Sequence, residues 1–349
     1  MKLHIDFETK SAVDLIKAGS HAYASHPSTD VLCMGYAFGD EPVQLWLPNQ
    51  PLPKRVVDHV ANGQMVCAWN LSGFEFLIWN RILVFKYGAP MLVLKQCQDT
   101  MALAYAMALP GQLQHAAPAL GLPHQKDMKG HRVMLKLSQP KKDGTFWTPE
   151  TAPEDFAALY AYCPQDVEVE RAADRRLVPL SDKEQRLWEL DNRINARGVY
   201  IDKVSAIAAI KVVECEVARL NDQMMKATGG AVEACTNTKA LATWVRYRGI
   251  ETPGVAKADI TDLLLRDELP GDVREALLIR QEAGKSSTAK LESVMESLSQ
   301  DGRIRGCFQY HGASTGRFAG RRVQLQNFPR PKIKQKDIEK IFEILGAVD

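Results

Sequence analysis

The chain has 349 residues, 46% of them apolar and 25% charged, with a formal net charge of +2. That length supports two domains with cores of their own, and the composition is ordinary for a globular protein. No apolar run approaches the roughly 20 residues that span a bilayer, and the N-terminus enters a strand-like pattern at once without a secretory signal, so cytoplasm is the default location.

The first part reads as alternating strand and helix. LHIDF alternates apolar and polar residues, VLCMGYAFG and VQLWL are β-rich runs, and MVCAW is a fourth strand. Ser72-Gly73-Phe74-Glu75 matches a capping box and predicts a helix through FLIWNRIL. A second helix is predicted from about Asp99 to Met107, ended by Leu109-Pro110-Gly111. The polar stretch from Lys126 to Gly144 reads as surface loop with a short helix around Val133 to Leu137. Thr151-Ala152-Pro153-Glu154 is another capping box, opening a helix toward Tyr162 that Pro164 should kink or restart before Asp166.

Ser181-Asp182-Lys183-Glu184 caps a further helix and marks the expected end of a first domain, residues 1–180. Beyond it the texture changes. EQRLWELDNRINARG is amphipathic, GVYID reads as a short strand or turn, and helical patterns cover Val204 to Thr228, Thr238 to Arg248 and Arg274 to Ser299. Residues 181–306 are therefore expected to form a mostly helical, elongated domain, followed by a basic segment over 307–349.

The seven cysteines (Cys33, Cys67, Cys97, Cys163, Cys215, Cys235 and Cys307) are scattered without a CxxC pair. This argues against a disulfide framework or a zinc cluster and for reduced thiols packed as small apolar groups. Charge is distributed unevenly. From Gly302 to Lys336 the chain holds Arg303, Arg305, Arg317, Arg321, Arg322, Arg330, Lys332, Lys334 and Lys336 without one Asp or Glu. A charge run of this kind is usually a solvated face or tail. Interleaving with Phe308, Tyr310, Phe318, Phe328 and turn glycines favours a folded phosphate-binding surface.

Three acidic fragments carry the candidate chemistry. Asp6 and Glu8 stand two apart on a predicted strand, so both leave one face while Ile5 and Phe7 turn to the core. Alone they read better as solvated charges on an edge strand, with roughly one such pair in ten binding metal. Glu75, with Asn70 before it, falls in the first turn of a helix after a strand, but it is also the capping partner of Ser72, and the two roles compete. Tyr162 and Asp166 are four apart and would share a helix face; the bland reading is a half-buried tyrosine beside a solvated charge. Together the acids suit hard divalent ions such as Mg2+ or Mn2+, which prefer oxygen ligands. Two such ions about 3.5–4 Å apart can clamp the attacking and leaving oxygens of a phosphodiester displacement. Such a site requires no histidine or cysteine.

IDFET, then NxxxFE, then YxxxD resemble the three exonuclease motifs of the RNase H-like DEDD superfamily in its tyrosine variant. The resemblance implies an α/β domain with a mixed sheet flanked by helices and 3′–5′ exonuclease activity. Asp6, Glu8, Glu75 and Asp166 would be ligands of two divalent cations (Mg2+ or Mn2+), and Tyr162 would orient the attacking water. The histidine variant would carry its histidine where Ala161 stands, and Glu75 occupies a place where Asp is usual.

The second half extends the likeness. DGRIRGCFQYHGASTGRFAGRRVQLQNFPRP, above all TGRF and LQNFP, resembles the thumb-to-palm sequence of family A DNA polymerases, and AGKSSTAKLESV resembles their thumb helix. The whole chain is similar to the N-terminal portion of a phage-type family A polymerase, ending at the start of the palm. This implies that Lys285, Lys290, Arg317, Arg321 and Arg322 bind primer–template phosphates, with Gln326 and Asn327 near the duplex and a single-stranded 3′ end as nuclease substrate. It also implies the cytoplasm of a bacterial or phage-infected cell. After Pro331 only the amphipathic IKQKDIEKIFEILGAVD remains, where Asp337 and Asp349 stand in no polymerase context, so nucleotide transfer by this chain alone is not expected. A separate chain carrying palm and fingers would complete a split enzyme. A catalytically degenerate DNA-binding module, or a nuclease that processes RNA, are the alternatives.

Overall fold

The computed structural model describes residues 1–122, 128–284, 289–313, 315–328, 330 and 333–346. Contacts divide the chain into two units, Met1–Tyr200 with Glu296–Asn327, and Ile201–Met295 with Phe328–Asp349.

The first unit is built on β1 (Leu3–Lys10), β2 (Asp30–Phe38), β3 (Gln44–Trp46), β4 (Val66–Ala68) and β5 (Cys97–Asp99), in the order β3-β2-β1-β4-β5. β1 lies in the middle, antiparallel to β2 and parallel to β4. This is the mixed, helix-flanked sheet expected of an α/β domain. The four predicted strands are present; β5 carries Gln and Asp around one cysteine, and its three residues are too few for a period to register.

Helices cover both faces. α1 (Leu15–Ala18), α2 (Ser20–Ser25) and α3 (Lys54–Ala61) precede a helical run after β4, in which Leu71–Glu75 and Trp79–Leu83 are π-helical and alternate with α4 (Phe76–Ile78) and α5 (Val84–Tyr87). Ile5 and Phe7 pack with Val56, Val60, Ile78 and Trp79 on this side. α6 (Thr100–Ala106) and α7 (Leu113–Ala119) follow. α8 (Met128–Leu137) and α9 (Pro153–Asp174) close the opposite face, where Leu137, Phe156, Leu159 and Cys163 pack on Leu32 and Cys33. Gly35 of β2 allows the approach of α9, since a Cβ there would meet Val167 at 3.0 Å and the Cys163 carbonyl at 3.2 Å.

Several local expectations are corrected. Ser72 does not form a capping box with Glu75: its amide and hydroxyl both donate to Asp99 Oδ2, at 2.9 and 2.7 Å, because β5 runs beside β4 and brings that carboxylate within reach. Thr151 is bonded in a turn with Thr148, and α9 starts at Pro153 with Ala152 at its cap and no side-chain capping bond. Pro164 does not restart that helix, which runs unbroken through it. α9 is continuous because buried Leu159, Cys163 and Val167 hold its turns to the sheet on both sides of the proline. The helix predicted at Val133 to Leu137 begins earlier, at Met128.

α10 (Asp182–Arg197) is capped as predicted by Ser181, whose Oγ accepts from the Glu184 amide at 3.3 Å. It belongs with the sheet nevertheless, since Trp188 is buried in the core cluster of β1. By contacts the first unit runs to Tyr200 and takes in Glu296–Asn327. There β6 (Val199–Tyr200) pairs with β7 (Arg303–Ile304), and β8 (Phe308–Gln309) with β9 (Ala319–Gly320).

The second unit is helical, with α11 (Lys203–Ala227), α12 (Thr238–Tyr247), α13 (Lys257–Leu264), α14 (Gly271–Ala283), α15 (Ala289–Glu296, its last residue counted with the first unit) and α16 (Gln335–Ile344). The expected helix from Arg274 to Ser299 is observed as α14 and α15, with 285–288 outside the described residues. Leu220, Met224, Leu241, Val245, Leu263 and Leu277 form its core. Among the described residues no helix is long and apolar enough to cross a membrane.

Candidate metal centre

β1 and α9 together build the site. Strand alternation sends His4, Asp6 and Glu8 to the face that α9 covers, and a register shift against β2 falls between Glu8 and Thr9. Bulges of this kind re-aim a side chain beside functional sites. Asp166 projects from α9 toward the same place. Carboxylate oxygens of Asp6, Glu8 and Asp166 all lie within 4.8 Å of one another, Glu8 being buried and the other two half-buried. Three carboxylates so close repel one another unless positive charge joins them, and an all-oxygen donor set matches a hard dication. Asp6 and Asp166 open on a cleft of about 430 Å³ that is also lined by Asn70, Glu75, His131 and Glu170.

Tyr162 is 2% exposed, and its hydroxyl is hydrogen-bonded to Asp166. The helical spacing of four therefore brings the pair together despite Pro164. Burial first, then the Asp166 carboxylate and the charges of Glu8 and Asp6, push the phenol well above its usual pKa. It is a permanent donor to Asp166 and no base. The Cys163 thiol lies beneath, 3.7 Å from Asp6 Oδ2.

Glu75 stands apart from this tight group. It lies on the π-helical turn, 5% exposed, and its Oε2 has no hydrogen-bond partner among the described residues. Burial, then the charges of Asp6, Asp99 and Glu170, raise its carboxyl pKa well above the usual value. The turn is fixed by the Asn70 carbonyl, which accepts from the Gly73 and Phe74 amides at 3.1 and 2.9 Å. The Asn70 side chain occupies the space a Cβ on Gly73 would need. Asp99 behind it is raised to about 6 by burial, against the opposing hydrogen bonds from Ser72 and neighbouring amides.

Sequence reasoning missed Glu170 and His4. Glu170 follows Asp166 by one helical turn and lines the cleft; its Oε2 is 2.7 Å from His4 Nδ1, and its Oε1 accepts from the Thr100 hydroxyl at 3.0 Å. The available signal was the same pair of periods that exposed the acids, four residues beyond Asp166 and two before Asp6. The far wall is held by Trp69, whose indole donates to the Gly111 carbonyl at 2.9 Å while its own carbonyl accepts from the Met101 amide at 2.7 Å.

The residues expected to bind DNA are spread over both units. Arg317 and Arg321, in the first, are exposed and make no ion pair among the described residues. Gln326 and Asn327 are exposed at that unit's end, where Gly320 leaves room for the Gln326 side chain. Arg322 is turned inward: it donates to the Lys17 carbonyl and, at 3.3 Å, to Ser297 Oγ, and Gly19 has no Cβ to obstruct it. Arg303 and Arg305 are likewise engaged, with the Gly198 carbonyl and with Asp301. Lys290, in the second unit, lies over the Phe328 ring at 5.1 Å. Lys285 lies outside the described residues.

In sequence the chain is 36% identical over 348 residues to a protein described as "DNA polymerase" from Bacillus phage SP02, a match that covers 96% of this chain and 52% of that protein. The chain thus spans about half the length of the curated relative it matches. Among solved structures, the POL domain of Pol1 from M. smegmatis, in complex with a DNA primer-template and dNTP, aligns with a TM-score of 0.54 at 14% identity, over 95% of this chain and 52% of that one. No family model matches. The likeness to part of a phage-type DNA polymerase, drawn from short motifs, thus extends over nearly the whole chain, and the fold is of the DNA polymerase I kind.

Proposed function

We propose that this chain, similar to about half of a phage DNA polymerase, is a family A polymerase portion that hydrolyses the terminal phosphodiester of a single-stranded DNA 3′ end, as a proofreading 3′–5′ exonuclease. The observation that carries this reading is the convergence of Asp6, Glu8 and Asp166 oxygens within 4.8 Å, with Asp6 and Asp166 at the wall of one cleft. Their donor set fits Mg2+ or Mn2+. Dications held by these three residues, with Glu75 at the cleft, would stabilise charge on the scissile phosphate and make water a nucleophile near neutral pH.

The chain's own groups do the rest. Tyr162 remains a phenol; it holds the Asp166 carboxylate in one orientation and has a hydroxyl, not a phenolate, to offer an attacking water. Burial and the neighbouring acids favour the protonated form of Glu75, and a dication nearby would favour its carboxylate, so the event that assembles the site would also recruit this ligand. Exposed Arg317 and Arg321 would meet DNA phosphates as mobile, hydrated cations. Likeness to a DNA polymerase supports DNA over RNA as the substrate.

A 5′-labelled single strand incubated with the purified chain, with Mg2+, Mn2+ or chelator, tests this. Stepwise shortening from the 3′ end that needs a dication and is lost in Asp6→Ala and Asp166→Ala is the expected result. Activity with neither ion would leave a DNA-binding module, and wild-type trimming by both variants would overturn the residue assignment.

A further inference from the structure

A second set of metal-donor side chains lies on the same face of β1, beside the oxygen-lined centre and chemically unlike it. His4 is registered directly against Cys67 across the parallel β1–β4 pair, so the two side chains stand side by side on one face of the sheet. Asp174, the last residue of α9, reaches the same point, and one donor atom from each of the three lies within 4.8 Å of the others. His4 and Cys67 are 3% and 0% exposed.

Two observations distinguish this group from chance neighbours. Glu170 Oε2 is 2.7 Å from His4 Nδ1, which fixes the ring and leaves Nε2 for a ligand, the arrangement in which a carboxylate backs a zinc-bound histidine. The Cys67 thiol, fully buried on the polar side of β4, has no hydrogen-bond partner among the described residues. The Asp174 carboxylate is held by Lys2 Nζ at 2.8 and 3.0 Å and by Gln98. Lys2 is a half-exposed amine that can swing into water.

We propose that His4, Cys67 and Asp174, with Glu170 behind the histidine, bind a zinc-class dication. One nitrogen, one thiolate sulfur and one carboxylate oxygen are zinc ligands at bond lengths of about 2.0–2.3 Å, whereas Mg2+ and Mn2+ are retained by oxygen. Thiolate and carboxylate balance a charge of two and neutral imidazole adds none; the Glu170 carboxylate behind the histidine leaves one negative charge, which the displaced Lys2 ammonium offsets from the solvent side. The thiol proton leaves for solvent, and water fills the fourth position from the Lys2 side. The ion would tie β1 and β4 to the end of α9, stapling the strand that carries Asp6 to the helix that carries Asp166. It requires no cysteine pair, which is why the cysteine spacing gave no sign of it.

Cobalt(II) added to the metal-free full chain in a Cys215→Ala background, which removes the exposed thiol, tests the site without reference to nuclease activity. The expected result is a thiolate-to-cobalt charge-transfer band in the near ultraviolet, lost on adding Zn2+ and unaffected by Mg2+. The band disappears in Cys67→Ser and stays in Asp166→Asn and in Cys163→Ala, which separates it from the oxygen-lined centre and from the thiol beside Asp6. Glu170→Gln weakens cobalt binding by about 10- to 100-fold. A background chain that shows no band, or one that keeps it in Cys67→Ser, overturns the proposal. Should Cys67→Ser fail to fold, Asp174→Asn decides instead: it keeps the sulfur but weakens cobalt binding at least about tenfold, and an unchanged affinity overturns the proposal.

Discussion

Glu75→Gln should stabilise the protein while impairing the proposed reaction, by an amount that grows with pH. In the folded chain the Glu75 carboxyl is buried, has one oxygen without a partner, and faces the charges of Asp6, Asp99 and Glu170, so its pKa is raised. A group with a raised folded pKa contributes stability that is fully present below the unfolded value, 4.5 here, and is lost as pH rises through the folded value. Glutamine has nearly the same shape, never ionises, and adds an amide donor that the neighbouring acids can accept. The variant's advantage should therefore be small at pH 4.5 and widen above it by at most about 1.36 kcal/mol per pH unit, levelling off at the folded pKa. At about 2–4 °C per kcal/mol for a unit of this size, a gap that widens from pH 5 toward pH 8 is readable by thermal unfolding in chelator. Saturating Mg2+ or Mn2+ should narrow the gap by neutralising the wild-type carboxylate, and the variant should trim a 5′-labelled strand more slowly. A gap that does not change with pH, or a variant less stable than wild type at pH 8, would refute the account of Glu75 as a poised, destabilising acid.

Tyr162→Phe removes one hydrogen bond to a carboxylate, a loss of about 1.5–3 kcal/mol in orienting energy, so single-turnover trimming should fall about 10- to 100-fold while the fold remains; a rate within twofold of wild type would assign Tyr162 to packing alone. Arg317→Ala and Arg321→Ala should each weaken primer–template binding and lower the salt slope by about 0.9, read by titration at several salt concentrations. Arg322→Ala should instead lower the melting temperature through loss of its contacts with the Lys17 carbonyl and Ser297, with no comparable change in salt slope. Trp188→Ala should destabilise the sheet-containing unit by about 3–5 kcal/mol by thermal unfolding, because α10 packs on its core; a negligible effect would return α10 to the helical unit.

What could be read from the sequence was local and periodic. Strand alternation placed Asp6 and Glu8 on one face, and helical spacing placed Tyr162 beside Asp166, because each relation is set within one element. What could not be read depended on partners far along the chain. Ser72 looked like a cap for Glu75 until Asp99, 27 residues later, took both its donors. Arg322 looked like one more phosphate ligand in a run without acids, but its partner is a main-chain carbonyl on Lys17. Trp188 sits in an amphipathic pattern that says one face is buried without saying against what.

The two periods also explain why so many donors gather on one line. Two residues of strand advance about 6.6–6.8 Å and four residues of helix advance about 6 Å, so a strand and a helix laid side by side in opposite senses stay nearly in step. β1 and α9 do this. Lys2 meets Asp174, His4 meets Glu170, and Asp6 and Glu8 meet Asp166, which in turn meets Tyr162. The order runs from an ion pair, through a histidine–carboxylate contact, to the cluster of acids at the cleft. A kink at Pro164 would put the turn that carries Asp166 and those after it out of step with the strand. The unbroken course of α9 through that proline is thus the structural condition on which the convergence of Asp6, Glu8 and Asp166 depends.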